Sequence, residues 1–575
     1  DHFVVCKDGE ILYHVDNKKQ AQDAIKEMEQ NTELEKDIIF NHNSKNYTVY
    51  HLHDDNSLLD SCTSYKQYVD KAVELGQKSI FFTNHGNIHN WIEKKMYCDE
   101  MGIKTNLSVE CYLTEFLEPK IRDNYHTVLI STNEQGKAEL LRLLFNSTDE
   151  QHKYYKPRIS FDEFLNISDN VIKISACLAS PLNKIRDLDR VEKLFKHYDY
   201  YEIQYHNCDD QIEYNQYLYE MSKKYNKPLI VGTDTHSLNQ YKAECRVILQ
   251  MGKDAEFSKG DSDGSNEDIF DLTYKSYDEL VGLFIEQNSL PMDVILQAIE
   301  NTNVMADSVE SFELDTSIKY PVLYGEDDEK VMWQTLRDKY KYKLDNGIIQ
   351  KNQRYIDDIK EEMRVFKKTD MVGFMLFMSE LMTWCREQGI PTSPCRGSVG
   401  GSTVAYISDI TDVDPIVRNT VFSRFANEDR KELGDVDCDV YEDQRPLVYD
   451  YIINRFGKEK TAFILSSGTA VDKGTIDIIG KALRKRWARE KCKGMDNFKQ
   501  ESEKLEKSQD NPYRLSFIKE IKSEFDTDQE STRKKYADFF YYFDGILGTK
   551  VNQSQHPAGI IASPINLIDN YGCFI

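Results

Sequence analysis

Residues 434–440 read Gly434-Asp435-Val436-Asp437-Cys438-Asp439-Val440, an alternation of acid and apolar side chains at a period of two. Successive side chains of an extended chain point to opposite faces, so the spacing predicts a strand with Asp435, Asp437 and Asp439 on one side. Three carboxylates in a row repel one another, and a sheet face carries them only with compensating cations. Bound Mg²⁺ would supply that compensation. Taken alone, the run fits a strand edge kept soluble by acids, so its surroundings decide the reading.

Upstream, residues 394–402 read PCRGSVGGS and open an apolar helix at TVAYIS. A Gly/Ser turn leading into a helix aims backbone N–H groups and hydroxyls at an anion, for which a triphosphate is the natural candidate. No Gly-Lys-Ser/Thr follows, so this is not a Walker A loop, and the glycine spacing is not that of a dinucleotide fingerprint.

A second constellation lies in the N-terminal half. His51 and His53 flank Leu52 in an extended run, which places both imidazoles on one face, and Asp234 and His236 repeat the device. Between them, at the ends of predicted strands or in the loops that follow, stand Asp60, His85, Glu110, His126 and Cys177. Any one of these histidines alone is an ordinary hydrogen-bonded residue. Their joint placement points to zinc or manganese held by imidazole, carboxylate and thiolate.

A chain of 575 residues implies two to four domains. With 40% hydrophobic and 30% charged residues it is globular. No apolar stretch approaches the length of a membrane span and residues 1–9 lack a secretory pattern, which predicts a soluble, cytoplasmic protein. Twelve cysteines without a CxxC pair fit neither a disulfide framework nor a zinc ribbon and are expected to be reduced. A net charge of −25 opposes a polyanionic partner, so any nucleic-acid site must be locally basic. The run 481–493, KALRKRWAREKCK, is basic and helical, and reads either as such a site or as a solvated helix face. The first residue is Asp1 and the last segment is apolar, which suggests a fragment. Abundant Asn, Lys, Ile and Tyr suggest an AT-rich source, a bacteriophage or a low-GC bacterium.

Residues 1–45 read as two short strands around the turn 7–10 and a helix from Lys18. From 46 to 250, β-rich runs alternate with helical patterns, an α/β rhythm. The polar stretch 252–270 marks a boundary. Beyond it come helical patterns at 276–287, 292–309 and 355–388, then the Gly-rich turn and the acidic run. The domain boundaries expected are 1–45, 46–275, 276–467, 468–545 and 546–575.

HLHDDNSLLD (51–60), FFTNHGN (81–87), SVECYL (108–113) and GTDTH (232–236) resemble the PHP domain of polymerases and histidinol phosphatases. The resemblance implies a distorted (β/α) barrel whose metal set falls on His51, His53, Asp60, His85, Glu110, His126, Cys177, Asp234 and His236, and a 3′ to 5′ exonuclease activity. One departure is Asn84, where the family has an aspartate expected to support the metal.

The stretch 373–439, with GIPTSPCRGSVGGSTVAYISDITDVDP, VFSRFANEDR and DVDCD, resembles the palm of C-family polymerases, the bacterial DNA polymerase III alpha subunits. The resemblance implies an α/β multidomain fold in which the barrel precedes a polymerase beta-like nucleotidyltransferase palm with a helical thumb. It implies Asp435 and Asp437 as the metal-bridging pair for Mg²⁺, supported by Asp439. Arg396, Gly397, Ser398, Ser402 and Arg424 would hold the nucleotide. Cys395 and Gly434 replace the family's Gly and Pro. Residues 463–481 resemble the start of the thumb, with Asp477 where Arg is usual, and this assigns DNA contacts to Lys473, Lys481, Arg484, Lys485 and Arg486. QHPAGII (555–561) resembles the return into the palm, bringing His556 toward the nucleotide. The implied partners are primer-template DNA, dNTPs, a sliding clamp, and a continuation or second chain carrying the fingers and a third catalytic aspartate. Two alternatives stand beside DNA polymerase: a PHP phosphoesterase on a non-catalytic polymerase-like scaffold, and one chain of a split polymerase.

Overall fold

The computed structural model describes residues 46–255, 270–428 and 435–575, together with the backbone of strands Phe3–Lys7, Glu10–Val15 and Ile39–Asn41. The two strands expected around residues 7–10 are present and pair antiparallel. The helix expected from Lys18, most of the polar stretch 252–270, and Gly434 lie outside the described residues.

The chain divides into two compact units. The first comprises residues 1–314, 466–554 and 574–575; the second comprises 315–465 and 555–573.

In the first unit, extended segments join into a closed ring. Strand Ser108–Thr114 pairs antiparallel with Tyr125–Ser131, which pairs with Val171–Ile174. Ile174 bridges Tyr200, and strand Tyr201–Ile203 runs parallel to Leu229–Val231. Leu52 bridges Thr235, Val49 bridges Ile80, and His85 bridges Glu110, which closes the circuit. Register decides what the ring encloses. Glu110 lies opposite Val128, Tyr112 opposite His126, and Val128 opposite Ile174, so all of these share one face. Toward one end that face is filled by buried Val128, Ile130, Ile172, Ile174 and Ile230. Toward the other it presents Glu110 and His126.

Helices cover the ring because their caps and apolar stripes fit. Ser64 with Gln67, Ser160 with Glu163 and Ser276 with Glu279 form capping boxes that satisfy otherwise orphaned first-turn N–H groups. Helix Leu188–His197 buries Val191, Leu194 and Phe195 on one side, each burial stabilising by about 2 kcal/mol. Helix Asp472–Cys492 packs on helix Gln240–Lys253 at Gly252, where an added Cβ would lie 2.4 Å from the Ile478 carbonyl oxygen.

The second unit is built on helices Asp328–Asp345, Gln353–Lys368 and Val372–Glu387, whose apolar faces meet around Phe366, Met375, Val404 and Phe425. The single helical pattern expected over 355–388 is two helices. They break at Thr369–Met371, where Asp370 adopts φ +56°, a conformation short polar side chains tolerate without glycine. Strands Thr461–Thr469 and Lys550–Ala562 pair with each other. No helix among the described residues is long and apolar enough to cross a membrane.

Candidate functional site

The ring brings the histidine pairs together through its backbone. His53 N donates to the Thr235 carbonyl at 2.8 Å and Thr235 N donates to the His51 carbonyl at 3.0 Å, so His51 and His53 stand beside Asp234 and His236. Glu110 is the hub. Its Oε1 lies 2.6 Å from His126 Nδ1 and 3.3 Å from His51 Nε2, and its Oε2 lies 2.5 Å from His85 Nδ1. Asp234 Oδ1 lies 3.2 Å from His51 Nε2 and 3.3 Å from His53 Nε2. Asp60 Oδ2 lies 2.9 Å from His85 Nε2 and 3.2 Å from His236 Nε2. Cys177 Sγ lies 3.7 Å from His126 Nδ1. All nine residues singled out in the sequence therefore meet in one connected cluster.

The donor set fits a metal. Three overlapping groups, His53/His85/His236, His51/His53/Glu110 and His85/Glu110/His126, each place three ligand atoms within 4.8 Å of one another. Buried His53 Nε2 and Asp234 Oδ1 face each other without a hydrogen bond, an arrangement that costs free energy unless a cation bridges them.

Electrostatics inside the cluster favour the ligand protonation state at His53, Glu110 and Asp60 and oppose it at His85 and Cys177. Burial lowers His53 to about 3, helped by the neighbouring His85 and His236, which keeps it neutral. Burial opposes ionisation of Glu110, yet His126 and His85 outweigh it and hold the carboxyl well below its ordinary range. For Asp60, Arg246 and His236 outweigh burial in the same way. Burial also disfavours charge on His85, but Glu110 and Asp60 raise it to about 9. Burial, Asp234 and Glu110 push the Cys177 thiol up, a bias that a bound cation reverses.

Several supporting residues escaped the sequence reading. Glu202 accepts from Tyr50 Oη at 2.8 Å and Gln204 Nε2 at 2.7 Å, and its Oε1 lies 2.8 Å from His51 Nδ1, which orients that imidazole. An added Cβ on Gly232 would lie 2.1 Å from its carboxyl carbon, so the close approach requires glycine. The signal was an acid inside the apolar strand Tyr201–Ile203. Arg246 and Gln250 hold Asp60 Oδ1 at 2.5 and 2.9 Å. Asn84, the departure from the family, accepts from Ser57 Oγ at 2.8 Å and donates to Asp54 Oδ1 at 2.9 Å. Two ionised carboxylates could not make that second bond, so the amide suits the neighbouring Asp54–Lys94 ion pair.

In the second unit, the strand expected over 435–439 is not formed as a ladder. Val440 makes one bridge to Thr392, and Asp439 is tied to Ser393, whose backbone N donates to the Asp439 carbonyl at 3.2 Å. Among the described residues the run makes no ladder beyond these contacts with Thr392 and Ser393. The alternation itself holds: Asp435, Asp437 and Asp439 are exposed while Val436, Cys438 and Val440 are half-buried. Among the described residues these acids form no close group of three ligand atoms; those groups all lie in the first unit.

Around the acids, Arg396 pairs with Asp439. Gly397, at φ +72°, lies so close that an added Cβ would be 3.3 Å from Asp437 Oδ2. Ser398 sits half-buried in the turn Gly397–Gly401, and Arg424 is exposed at the end of turn Phe422–Arg424. The two turns pack together at Gly401, whose added Cβ would meet the Val421 carbonyl oxygen at 2.5 Å. Cys395, in place of the family's glycine, fills the space over Gly400. His556 Nδ1 accepts from Gly559 N at 2.9 Å.

Two expectations are corrected. Ser402 is fully buried and faces Glu362: its Oγ donates to Glu362 Oε2 at 2.6 Å, while Thr403 N and Val404 N donate to the same carboxyl at 2.8 and 2.9 Å. The first turn of helix Thr403–Ile407 is thus closed by an internal carboxyl and is not open to a triphosphate; burial pushes that carboxyl up to about 7 against these hydrogen bonds. The basic helix is likewise turned largely inward. Lys481 and Lys485 both pair with Asp254 and Arg484 with Glu506, whereas Lys473, in a surface ion pair with Asp526, stays exposed together with Arg486, Lys491 and Lys493. Its apolar residues pack on helix Gln240–Lys253 and bring the intervening cations with them.

Comparison with known proteins assigns the histidine cluster and the acidic run to different families. The PHP domain family matches residues 50–224, and the bacterial DNA polymerase III alpha NTPase domain family matches residues 329–573. A DNA polymerase III subunit alpha of Aquifex aeolicus is 30% identical over 468 residues, covering 76% of this chain and 40% of the relative. That of Borreliella burgdorferi is 28% identical over 544 residues, covering 90% of this chain and 45% of the relative. The chain thus spans less than half the length of these relatives. With both domains in the same order and similarity running through most of its length, the chain belongs to the C-family polymerases, the bacterial DNA polymerase III alpha subunits.

Proposed function

We propose that this chain carries the nucleotidyl-transfer site of a DNA-directed DNA polymerase and, separately, a phosphodiester-hydrolysing metal cluster that acts as a 3′ to 5′ exonuclease. The observation that supports the first part is the apposition of Gly397 and Asp437, where a Cβ on residue 397 would lie 3.3 Å from the Asp437 carboxylate, so that the Gly/Ser turn and the acidic run adjoin. Asp435 and Asp437 would hold Mg²⁺, which when bound lowers the pKa of the primer 3′-hydroxyl and stabilises the leaving pyrophosphate. Gly397 and Ser398 offer backbone N–H groups to the phosphates of an incoming dNTP, and Arg396 and Arg424 offer charge. Asp439 orients the Arg396 guanidinium. Residues 315–467 and 555–575 would then serve as palm and 468–545 as thumb, whereas the helices of 276–314, expected with the palm, pack on the ring of the first unit. Primer-template DNA would be reached by exposed cations such as Arg486, with a sliding clamp as a partner in the cytoplasm.

In the hydrolytic site, zinc or manganese would be held by His51, His53, Asp60, His85, Glu110, His126, Cys177, Asp234 and His236, and would supply an activated water. Glu202 fixes the His51 ring, and Arg246 fixes Asp60. The gathered state of this cluster, against the dispersed acids of 435–439, favours one second reading, a phosphoesterase on a non-catalytic polymerase-like scaffold. Primer extension and degradation of 3′-labelled DNA separate the two. Asp435→Asn is expected to abolish extension and spare degradation, and His53→Ala to do the reverse. Extension unaffected by Asp435→Asn would sink the polymerase assignment.

A further inference from the structure

Beside the histidine cluster, residues 153–156 form a tight hairpin tip. Tyr154 and Lys156 pair antiparallel across it, and Tyr155 occupies the tip with φ +61°. A bulky aromatic in the left-handed region costs about 1 kcal/mol or more, and here the outcome is a ring that is 73% exposed. Within the fold the ring meets Arg122 and Tyr154, both at the surface.

The tip is chemically distinct from its surroundings. Residues 151–158, QHKYYKPR, contain no acid in a chain of net charge −25. The Arg122 guanidinium lies over the Tyr155 ring at 4.7 Å and donates to its hydroxyl at 3.2 Å, and Tyr154 packs edge-on at 4.8 Å. Lys156 Nζ lies 5.2 Å from the Tyr112 ring centroid, and that ring lies 6.2 Å from the His85 ring and 5.3 Å from the His126 ring. Pro157 presses on Gly86, the residue after His85, at a position where an added Cβ would be 2.8 Å away. An exposed stack of aromatic ring and guanidinium therefore leads, through a lysine and one further ring, to the cluster.

We infer that this surface is a platform for single-stranded nucleic acid: bases stack on Tyr155 and Arg122, Lys153 and Lys156 hold phosphates, and the strand's 3′ end is delivered to the metal cluster. Rings flanked by cations are how proteins hold unpaired strands without reading sequence, because every base has a π-face and every linkage a charge. A duplex keeps its bases stacked inside and offers the tip only phosphates. The inference rests on the hydrolytic half of the proposed function and adds the form of the substrate and the residues that grip it.

The test uses the full chain loaded with Zn²⁺ or Mn²⁺ and a fluorescent oligothymidylate with phosphorothioate linkages, read by anisotropy. Tyr155→Asn, chosen because Asn accepts the left-handed conformation, is expected to weaken binding about tenfold, while Tyr155→Phe keeps it. Lys156→Ala is expected to lower the dependence of affinity on salt. Metal content should be unchanged in all three. Tyr155→Asn binding as tightly as the parent, or losing affinity for duplex and single strand alike, would overturn the platform. Hydrolysis of a small phosphodiester by the parent chain is scored separately, and its absence with metal bound would overturn the hydrolytic reading while the affinity series still decides the surface.

Discussion

On the proposed reading the two sites would hold divalent cations from opposite starting points. Around Glu110 the ligands are buried and already in mutual contact, because imidazoles share charge and hydrogen bonds with carboxylates and keep one another in place. At 435–439 every ligand candidate is a carboxylate, Arg396 pairs with Asp439, and the acids stay exposed and apart. A mixed histidine–acid set can be assembled by the fold; an all-acid set is assembled by its cations and substrate. The first should therefore be felt in stability and the second in ligand binding.

Glu110→Ala gives the largest expected effect. It strips the partner from three imidazoles in a buried site, and breaking such a network costs roughly 3–5 kcal/mol. Thermal denaturation and metal content of the full chain should both fall. Asp437→Asn, at an exposed position, should leave the melting curve unmoved, and equal losses from the two changes would erase the contrast.

Most ligands of the buried cluster were legible because they stand inside or beside apolar runs, where a lone polar side chain stands out. What the sequence hid was everything that depends on a distant partner. Glu202 meets His51 across 151 residues, and Glu362 meets Ser402 across 40. The Ser402 hydroxyl matches a phosphate-loop pattern whether its acceptor is a nucleotide or a buried glutamate. The alternation of 435–440 correctly placed the acids on one side, but a period of two records only which way side chains point and cannot show whether a neighbouring strand exists to form a ladder.

Glu362 sharpens the comparison with a pH dependence. Its carboxyl is raised from an ordinary 4.5 to about 7 by burial, so the folded unit keeps the proton where the unfolded chain has lost it. The stabilisation is complete below the unfolded value and is lost as pH rises through about 7, a span of about 3 kcal/mol. Denaturation followed by the fluorescence of Trp333 and Trp384, which pack on the core of the second unit, should show stability declining from roughly pH 5 to 8. Glu362→Gln should flatten that slope, and parallel curves for parent and variant would remove the buried acid from the account.

Glu202→Gln acts more gently. The amide keeps the shape but loses the charge that orients the His51 ring, and such supporting changes typically weaken metal affinity by about 10–100-fold. Competition with a chromophoric chelator measures it, and an unchanged affinity would mean that the cluster positions His51 without Glu202.

The smallest expected effect falls on the basic helix. Lys485 is 13% exposed, with its ammonium beside the Met251 carbonyl at 3.1 Å and paired with the Asp254 carboxylate. A cation engaged in this way stabilises helix Asp472–Cys492 against helix Gln240–Lys253 and is shielded from DNA phosphates. Lys485→Ala should therefore cost about 0.5–1 kcal/mol in stability, as exposed and part-exposed ion pairs do, and leave the salt slope of DNA binding intact. Arg486→Ala should show the converse, because its side chain is half exposed and its Glu490 partner lies only one turn along the same helix. A reduced salt slope for Lys485→Ala, measured by anisotropy on a primer-template duplex, would return the inward face of the helix to the DNA and narrow the difference between the structural and the binding halves of the chain.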